Sequence, residues 1–358
     1  MKFALCTAFA VCLVFSVAAR AAEYVIVISC DGLRPDAVEK LGEKNAPTFH
    51  RLMKEGAYTH NARTDATFTV TLPNHTSMIT GRGVEGPAGH GWKDNGTPKL
   101  GEFLHKRKQS YIAGMFDVAH DHGLRTAVYA SKKKFVLYDI SYDKRFGGPD
   151  MVGEDNGRDK IDRYVFEEEA GIMLGRYITE IEKNPFHLTM IHMRDTDSAG
   201  HWKGWDLTED SHYLTALRRE DKFIGRLLQV IQASNKMRGK TALIVTTDHG
   251  GRMETKTHTN AKHPNNYTIP FYVWGAGVSE GVDLYTINPD SRADPGEVNP
   301  AYGDGLPPVR NGDAGNLALH LLGLPPIPNS FINAKQDLKV QGSAPAKADP
   351  DPEPPASE

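Results

Sequence analysis

Apolar positions along the chain follow two rhythms. Short, nearly continuous runs of apolar and β-branched residues occur at Tyr24–Ser29, Thr126–Ala130, His187–Met193, Ala242–Thr246 and Tyr267–Gly275. Runs of this length and make-up predict strands buried on both faces, as in a parallel sheet covered by helices. Ser110–Met115 is a further strand candidate, and Pro270 predicts an edge position for the last run because proline cannot donate to a ladder. Elsewhere the spacing changes to three and four. Tyr213, Leu217, Phe223, Ile224, Leu227, Leu228 and Ile231 make a stripe within Ser211–Lys236, and Val165–Lys183 repeats the period, so both stretches predict amphipathic helices. Pro47–Glu55 predicts a short helix closed by Gly56, with Arg34-Pro35 and Pro47 bracketing a loop before it. Phe116–His122 and Asp313–Leu322 are two more helices, while Ala57–Thr71 is Thr-rich and polar and reads as loop or extended chain. Strands alternating with helices predict a doubly wound α/β/α sandwich with a mostly parallel central sheet.

Composition changes this picture only at the ends. Residues 1–21 carry Lys2, an apolar run and Ala19-Arg20-Ala21, the pattern of a cleaved signal peptide. An exported product, periplasmic or secreted and without a stable membrane anchor, is expected. Residues 22–340 read as one domain with an irregular Pro-, Gly- and Asp-rich insertion at about 281–310; 341–358 lack apolar mass and predict a disordered tail. The net charge of −3 becomes −5 once Lys2 and Arg20 leave, which gives no nucleic-acid-binding face. Cys6 and Cys12 leave with the leader, so Cys30 has no internal disulfide partner and reads as a small buried residue.

The chemistry sits where strands end. Tyr24–Ser29 runs into Cys30-Asp31-Gly32, His187–Met193 into a stretch holding Asp195, Asp197 and His201, and Ala242–Thr246 into Asp248-His249-Gly250. In open parallel sheets the ligand site lies beyond the carboxyl ends of the strands. Carboxylate and imidazole together suit a divalent metal, zinc above all. A fourth stretch, Thr71-Leu72-Pro73-Asn74-His75, predicts a helix starting just beyond Pro73 and stopping at Gly81, with Thr71 on the loop before it. Lys132-Lys133-Lys134 directly follow a strand, where a phosphate can be met.

In that order, Asp31-Gly32-Leu33-Arg34, Thr71-Leu72-Pro73-Asn74-His75, Asp197-x-x-Gly200-His201 and Asp248-His249-Gly250 resemble the motifs of the alkaline phosphatase superfamily, most closely its nucleotide pyrophosphatase/type I phosphodiesterase branch, from about Tyr24 to about Ser330. The resemblance implies two divalent metal ions. It implies that Asp31, Thr71, Asp248 and His249 hold one, and Asp197, His201 and a later histidine the other. His258 fits that place by its spacing to the Tyr267 run; His263 is the alternative. It further implies that Thr71 is the nucleophile and that Asn95 helps bind a phosphoryl oxygen. The expected activity is hydrolysis of a small-molecule phosphate ester, phosphodiester or pyrophosphate bonds preferred, through a phosphothreonine. Alternatives are a phosphomonoesterase or phosphonate hydrolase, a phosphoryl-group transferase, and a non-catalytic metal or phosphate binder. A sulfatase would need Cys or Ser in place of Thr71 and a nearby Arg, which this stretch lacks.

Overall fold

A computed structural model describes residues 22–342; the predicted leader and nearly all of the predicted tail lie outside the described residues. Eight strands form one sheet: β1 (Tyr24–Cys30), β2 (Gly56–Arg63), β3 (Thr126–Ala130), β4 (Arg163–Phe166), β5 (Leu188–Met193), β6 (Thr241–Thr246), β7 (Thr268–Gly275) and β8 (Val282–Asp283), in the order β4-β3-β5-β1-β6-β7-β2-β8. All pairings are parallel except those of β7 with β6 and β2. Alternation along β1 sends Val25 and Val27 into the core on one face and Ile26, Ile28 and Cys30 into the core on the other. Helices cover both faces, so the architecture is the predicted mostly parallel α/β/α sandwich.

Several local expectations are corrected. Residues 35–45 are helical, with a kink at Gly42 (φ +62°), rather than a loop, because Pro35 stands at the first position, where the missing N–H is not needed. Ser110–Met115 is not a strand. Its N–H groups are taken by side chains, Ile112 N by His105 Nδ1 and Gly114 N by Asp117 Oδ2, and a helix starts at Met115. The front of Val165–Lys183 is strand β4, and the helix spans only Ala170–Lys183. The polar stretch after Gly56, expected as loop or extended chain, is extended over most of its first half, where it pairs as β2.

β7 is not an edge. It lies between β6 and β2, and the ladder with β2 shifts register between Thr59 and Ala62, opposite Ile269–Phe271. This bulge removes the need for a donor at Pro270, whose carbonyl accepts from Thr246 Oγ1.

The helix expected beyond Pro73 begins earlier, at Thr71, and runs to Thr80 with Gly81 left-handed behind it. Pro73 falls in the first turn, where backbone N–H groups have no helical partner to lose. All ten residues of this helix are buried although most are polar. Thr76, Ser77 and Thr80 resolve the conflict by donating their hydroxyls to carbonyls one turn back, those of Leu72, Pro73 and Thr76.

Candidate metal centre

Parallel pairing of β1 with β5 and β6 aligns Cys30 with Met193 and Ser29 with Thr246, so three chain segments leave the sheet at one end. Asp31 follows β1 directly. The Asp195–Lys203 helix follows β5 and presents Asp197 and His201 one turn apart. Asp248 and His249 follow β6. Gly32 permits the convergence: it adopts φ +78°, and a Cβ there would lie 3.1 Å from Asp197 Cα.

Asp31, Asp197, Asp248, His249 and His258 are buried, whereas the His201 side chain is about half exposed. Two groups of three can each hold an ion, Asp31 with Asp248 and His249, and Asp197 with His249 and His258. His249 Nε2 lies between them, 3.3 Å from Asp31 Oδ1, 3.2 Å from Asp248 Oδ2 and 3.9 Å from Asp197 Oδ1. Asp197 Oδ1 is 3.3 Å from His201 Nε2 and 3.7 Å from His258 Nε2. His263 stays away from this cluster and caps the short Pro264–Tyr267 helix, its Nδ1 accepting from Asn265 N.

The donor set fits metal. Asp31 Oδ1, Asp197 Oδ1, Asp248 Oδ2 and His249 Nε2 are buried without a hydrogen-bond partner, a costly arrangement for four polar atoms in one place. Each of the three imidazoles also donates its Nδ1 proton to a backbone carbonyl, His201 to Lys256, His249 to Gly250 and His258 to Thr69. That fixes the tautomer and leaves the Nε2 lone pairs turned inward, as a ligating histidine requires.

The carboxylate oxygens on the far side are satisfied. Lys132 Nζ lies 2.6 Å from both Asp31 Oδ2 and Asp197 Oδ2, and His192 Nε2 lies 2.8 Å from Asp31 Oδ2. Burial pushes the Asp31 and Asp197 carboxyls up, but Lys132 with the neighbouring histidines overrides it and holds both below the ordinary carboxylate range. Asp248 has no such contact with the ammonium. Burial, then the Asp31 charge, raise it to about 7. One lysine therefore balances two of three carboxylates, and the centre has room for further positive charge.

Thr71 is tied to this centre from several sides. Two residues before it, Thr69 exchanges hydrogen bonds with His258. His75 donates to the Thr71 carbonyl (2.8 Å) and accepts from Ser29 Oγ (2.8 Å) on β1. Asn311 Nδ2 bridges Asn74 Oδ1 (3.0 Å) to the Asp248 carbonyl (3.3 Å). Asn95 Oδ1 accepts from Leu72 N (2.9 Å) and from Lys134 Nζ (3.0 Å), which leaves its amide nitrogen as the end that can meet an oxyanion. Burial, then the Lys132 charge, lower Lys134 to about 8.

The eight residues singled out for the site thus gather at one end of the sheet. Lys132 drew notice only as a phosphate contact, and its bridge between two carboxylates has no local signature. His192 reads as one more strand residue, and Asn311 as a loop polar residue. A third group, His120 with Asp121 and Asp150, was not foreseen. The buried Lys160 ammonium fills it, 3.0 Å from Asp121 Oδ1 and 3.0 Å from the Gly157 carbonyl, and also paired with Asp150.

The family described as type I phosphodiesterase/nucleotide pyrophosphatase matches residues 25–304. Among curated proteins, the chain is 25% identical over 271 residues to mouse GPI ethanolamine phosphate transferase 1, covering 72% of this chain and 27% of that protein. The Yarrowia lipolytica protein of the same description is 23% identical over 351 residues, 91% of this chain and 35% of that one. The chain therefore spans about a quarter to a third of the length of these curated relatives. Among solved structures, murine ectonucleotide pyrophosphatase/phosphodiesterase 5 superposes with a TM-score of 0.54 at 18% identity, covering 88% of this chain and 100% of that one. An inactive variant of it, solved with AMP, gives a TM-score of 0.55 at 18% identity over 88% and 99% of the two chains. A Vibrio parahaemolyticus protein of the alkaline phosphatase superfamily gives a TM-score of 0.55 at 15% identity over 86% and 68%.

Proposed function

The chain belongs to the type I phosphodiesterase/nucleotide pyrophosphatase family, and from that premise we propose that it is a two-metal hydrolase of phosphate esters that works through a phosphothreonine on Thr71. The observation that carries the reading is the set of four unpartnered ligand atoms at the meeting of three strand ends, beside the buried first residue of the Thr71–Thr80 helix. Asp31, Thr71, Asp248 and His249 would hold one divalent cation, and Asp197, His201 and His258 the other. When bound, two such cations lower the pKa of a coordinated hydroxyl and neutralise charge on the reacting phosphoryl group; the mixed carboxylate–imidazole set suits zinc.

The chain's own groups do the rest. Thr71 Oγ1 gives up its proton to solvent and attacks phosphorus as the bond to the leaving alcohol or phosphate breaks, the leaving oxygen taking a proton in return. Water then attacks the phosphothreonine, returns a proton to Thr71 Oγ1 and releases phosphate or a phosphate monoester. The positive end of the helix dipole favours the charge that develops in both steps, while its Leu72 N–H is taken by Asn95. Asn95, with its oxygen committed to Leu72 N and Lys134, offers its amide nitrogen to a non-bridging oxygen. Lys132 and His192 both hold the outer oxygen of Asp31, Oδ2, so that the inner one stays aimed at the cluster.

Family membership favours phosphodiester or pyrophosphate bonds. One feature supports a phosphomonoesterase instead: the Lys134 ammonium, whose hydrogen-bond partner is the neutral Asn95 rather than a carboxylate, flanks the site and matches the extra charge of a monoester dianion, whereas Lys132 is committed to Asp31 and Asp197. The curated relatives raise a phosphoryl-group transferase as another outcome, with an alcohol replacing water in the second step. Among the described residues no helix is long and apolar enough to cross a membrane. Turnover of a panel of chromogenic phosphate mono- and diesters, with metal analysis of the same protein, tests the proposal. Less than one metal equivalent, together with activity indifferent to chelator, rejects it.

A further inference from the structure

The helix His212–Ala233 packs through its apolar stripe, yet it also buries three polar groups: Asp221, which accepts from Thr48 N and Phe49 N, and Tyr213 and, two turns later, Glu220, which turn toward the metal centre. The Tyr213 hydroxyl donates to the Gly32 carbonyl at 2.8 Å and so grips the loop that carries Asp31. Glu220 is fully buried. Its Oε1 accepts from the N–H groups of Asp195 (3.1 Å) and Thr196 (3.4 Å), the first two residues of the helix that bears Asp197 and His201. Its Oε2 lies 3.2 Å from Thr196 Oγ1. The Thr196 hydroxyl is 2.6 Å from the Asp31 carbonyl.

Counting protons decides what this chain of contacts is. A hydroxyl has one proton and a carbonyl only accepts, so the Thr196 proton goes to Asp31. Glu220 also meets the Cys30 thiol, which like the two N–H groups can only donate to it, so the contact between Thr196 Oγ1 and Glu220 Oε2 takes its proton from Glu220. Burial, then the Asp195 charge, act in the same direction and push this carboxyl well above its ordinary range.

We propose that Glu220 is a positioning residue for the metal centre: as a neutral acid it clamps the first turn of the Asp197–His201 helix, through Thr196, onto the backbone of Asp31. The proposal rests on the two-metal reading above. Asp31 and Asp197 belong to different ligand groups, and the Asp31–Thr196–Glu220 chain ties one to the other. Two-metal sites work at separations of about 3.5–4 Å, so a small slip of one ligand helix misplaces one ion relative to the other.

The test uses the full chain stripped by chelator and titrated calorimetrically with Zn²⁺ alone, followed by kcat and KM on a chromogenic ester and by thermal melting. Glu220→Gln keeps both acceptor and donor and should stay within about threefold of the unaltered protein in zinc affinity and kcat. Glu220→Leu should weaken one of two zinc equivalents by about 10–100-fold, as loss of an outer partner does, and lower kcat with KM little changed. Thr196→Val, nearly isosteric, should act the same way, and the double substitution should be no worse than Glu220→Leu alone. Should Glu220→Leu not fold, Thr196→Val against Glu220→Gln decides. Two undisturbed zinc sites in both Thr196→Val and any folded Glu220→Leu overturn the proposal and leave the two-metal reading standing. A Gln variant as impaired as Leu also overturns it, since charge rather than hydrogen bonding would then matter. Absence of zinc binding and of ester turnover in the unaltered protein overturns the two-metal reading and this proposal with it.

Discussion

Two clusters in this molecule look alike on paper. One gathers Asp31, Asp197 and Asp248 with histidines around Lys132; the other gathers Asp121, Asp150 and His120 around Lys160. They differ in what the lysine leaves over. Lys160 closes its cluster, because its ammonium reaches both carboxylates and a carbonyl, and His120 pairs with Asp150 at 3.0 Å. Lys132 reaches only the outer oxygens of two carboxylates, and four inner atoms remain unpartnered. A cluster of carboxylates becomes a candidate site when its buried ligand atoms outnumber the partners the chain supplies.

The strongest way to break this contrast is to remove the hydroxyl. Thr71→Ala should lower ester turnover by about three powers of ten or more while metal analysis still finds two equivalents. Thr71→Ser should keep partial activity. Wild-type rates for Thr71→Ala on every ester tested would end the nucleophile assignment.

Next in size is the opposite cluster. Lys160→Met leaves Asp121 and Asp150 without their buried cation and should cost about 3–5 kcal/mol of unfolding free energy by denaturant titration. Turnover per folded molecule should not change. A loss of turnover larger than the loss of folded protein would make the second cluster functional after all.

Within the first cluster, His258→Ala should weaken one metal by at least the ~10–100-fold that follows loss of an outer partner. His263→Ala should stay within about twofold, since that ring caps a short helix instead. The reverse pattern, read by metal titration and turnover, would move the ligand to His263.

The smallest expected effect concerns the ester class. Lys134→Ala should reduce monoester turnover about tenfold and diester turnover less, by losing one charge-assisted contact. The Lys134 ammonium, lowered from its ordinary 10.5 to about 8, carries its charge below that pH and loses it above. Monoester kcat/KM should therefore fall as pH rises through about 8, and the substituted enzyme should lack that fall. Equal losses on both ester classes would remove the monoester reading.

Much of this could be read from the chain. The runs that became β1, β3, β5, β6 and β7 announce themselves because a strand buried on both faces must be apolar along its length. The ligand candidates stand out because each follows such a run. Helix starts were read less well. Pro35 and Pro73 look like breaks in the sequence, yet each falls in a first turn, where proline does no harm. Pro270 was read as an edge signal although a bulge accommodates it inside the sheet.

Sequence alone determined the apolar runs, their alternation with helices, and the motifs at their ends, because these depend on residues close together in the chain. Tertiary structure alone decided that β1, β5 and β6 are neighbours, that His258 rather than His263 turns toward Asp197, and which groups Lys132, His192, Glu220 and Asn311 meet. The reason is physical. A buried charge or hydrogen bond takes its meaning from the partner it meets, and these partners stand 101, 161, 24 and 63 positions apart in the chain. No local pattern encodes such a pairing; the register of a parallel sheet does.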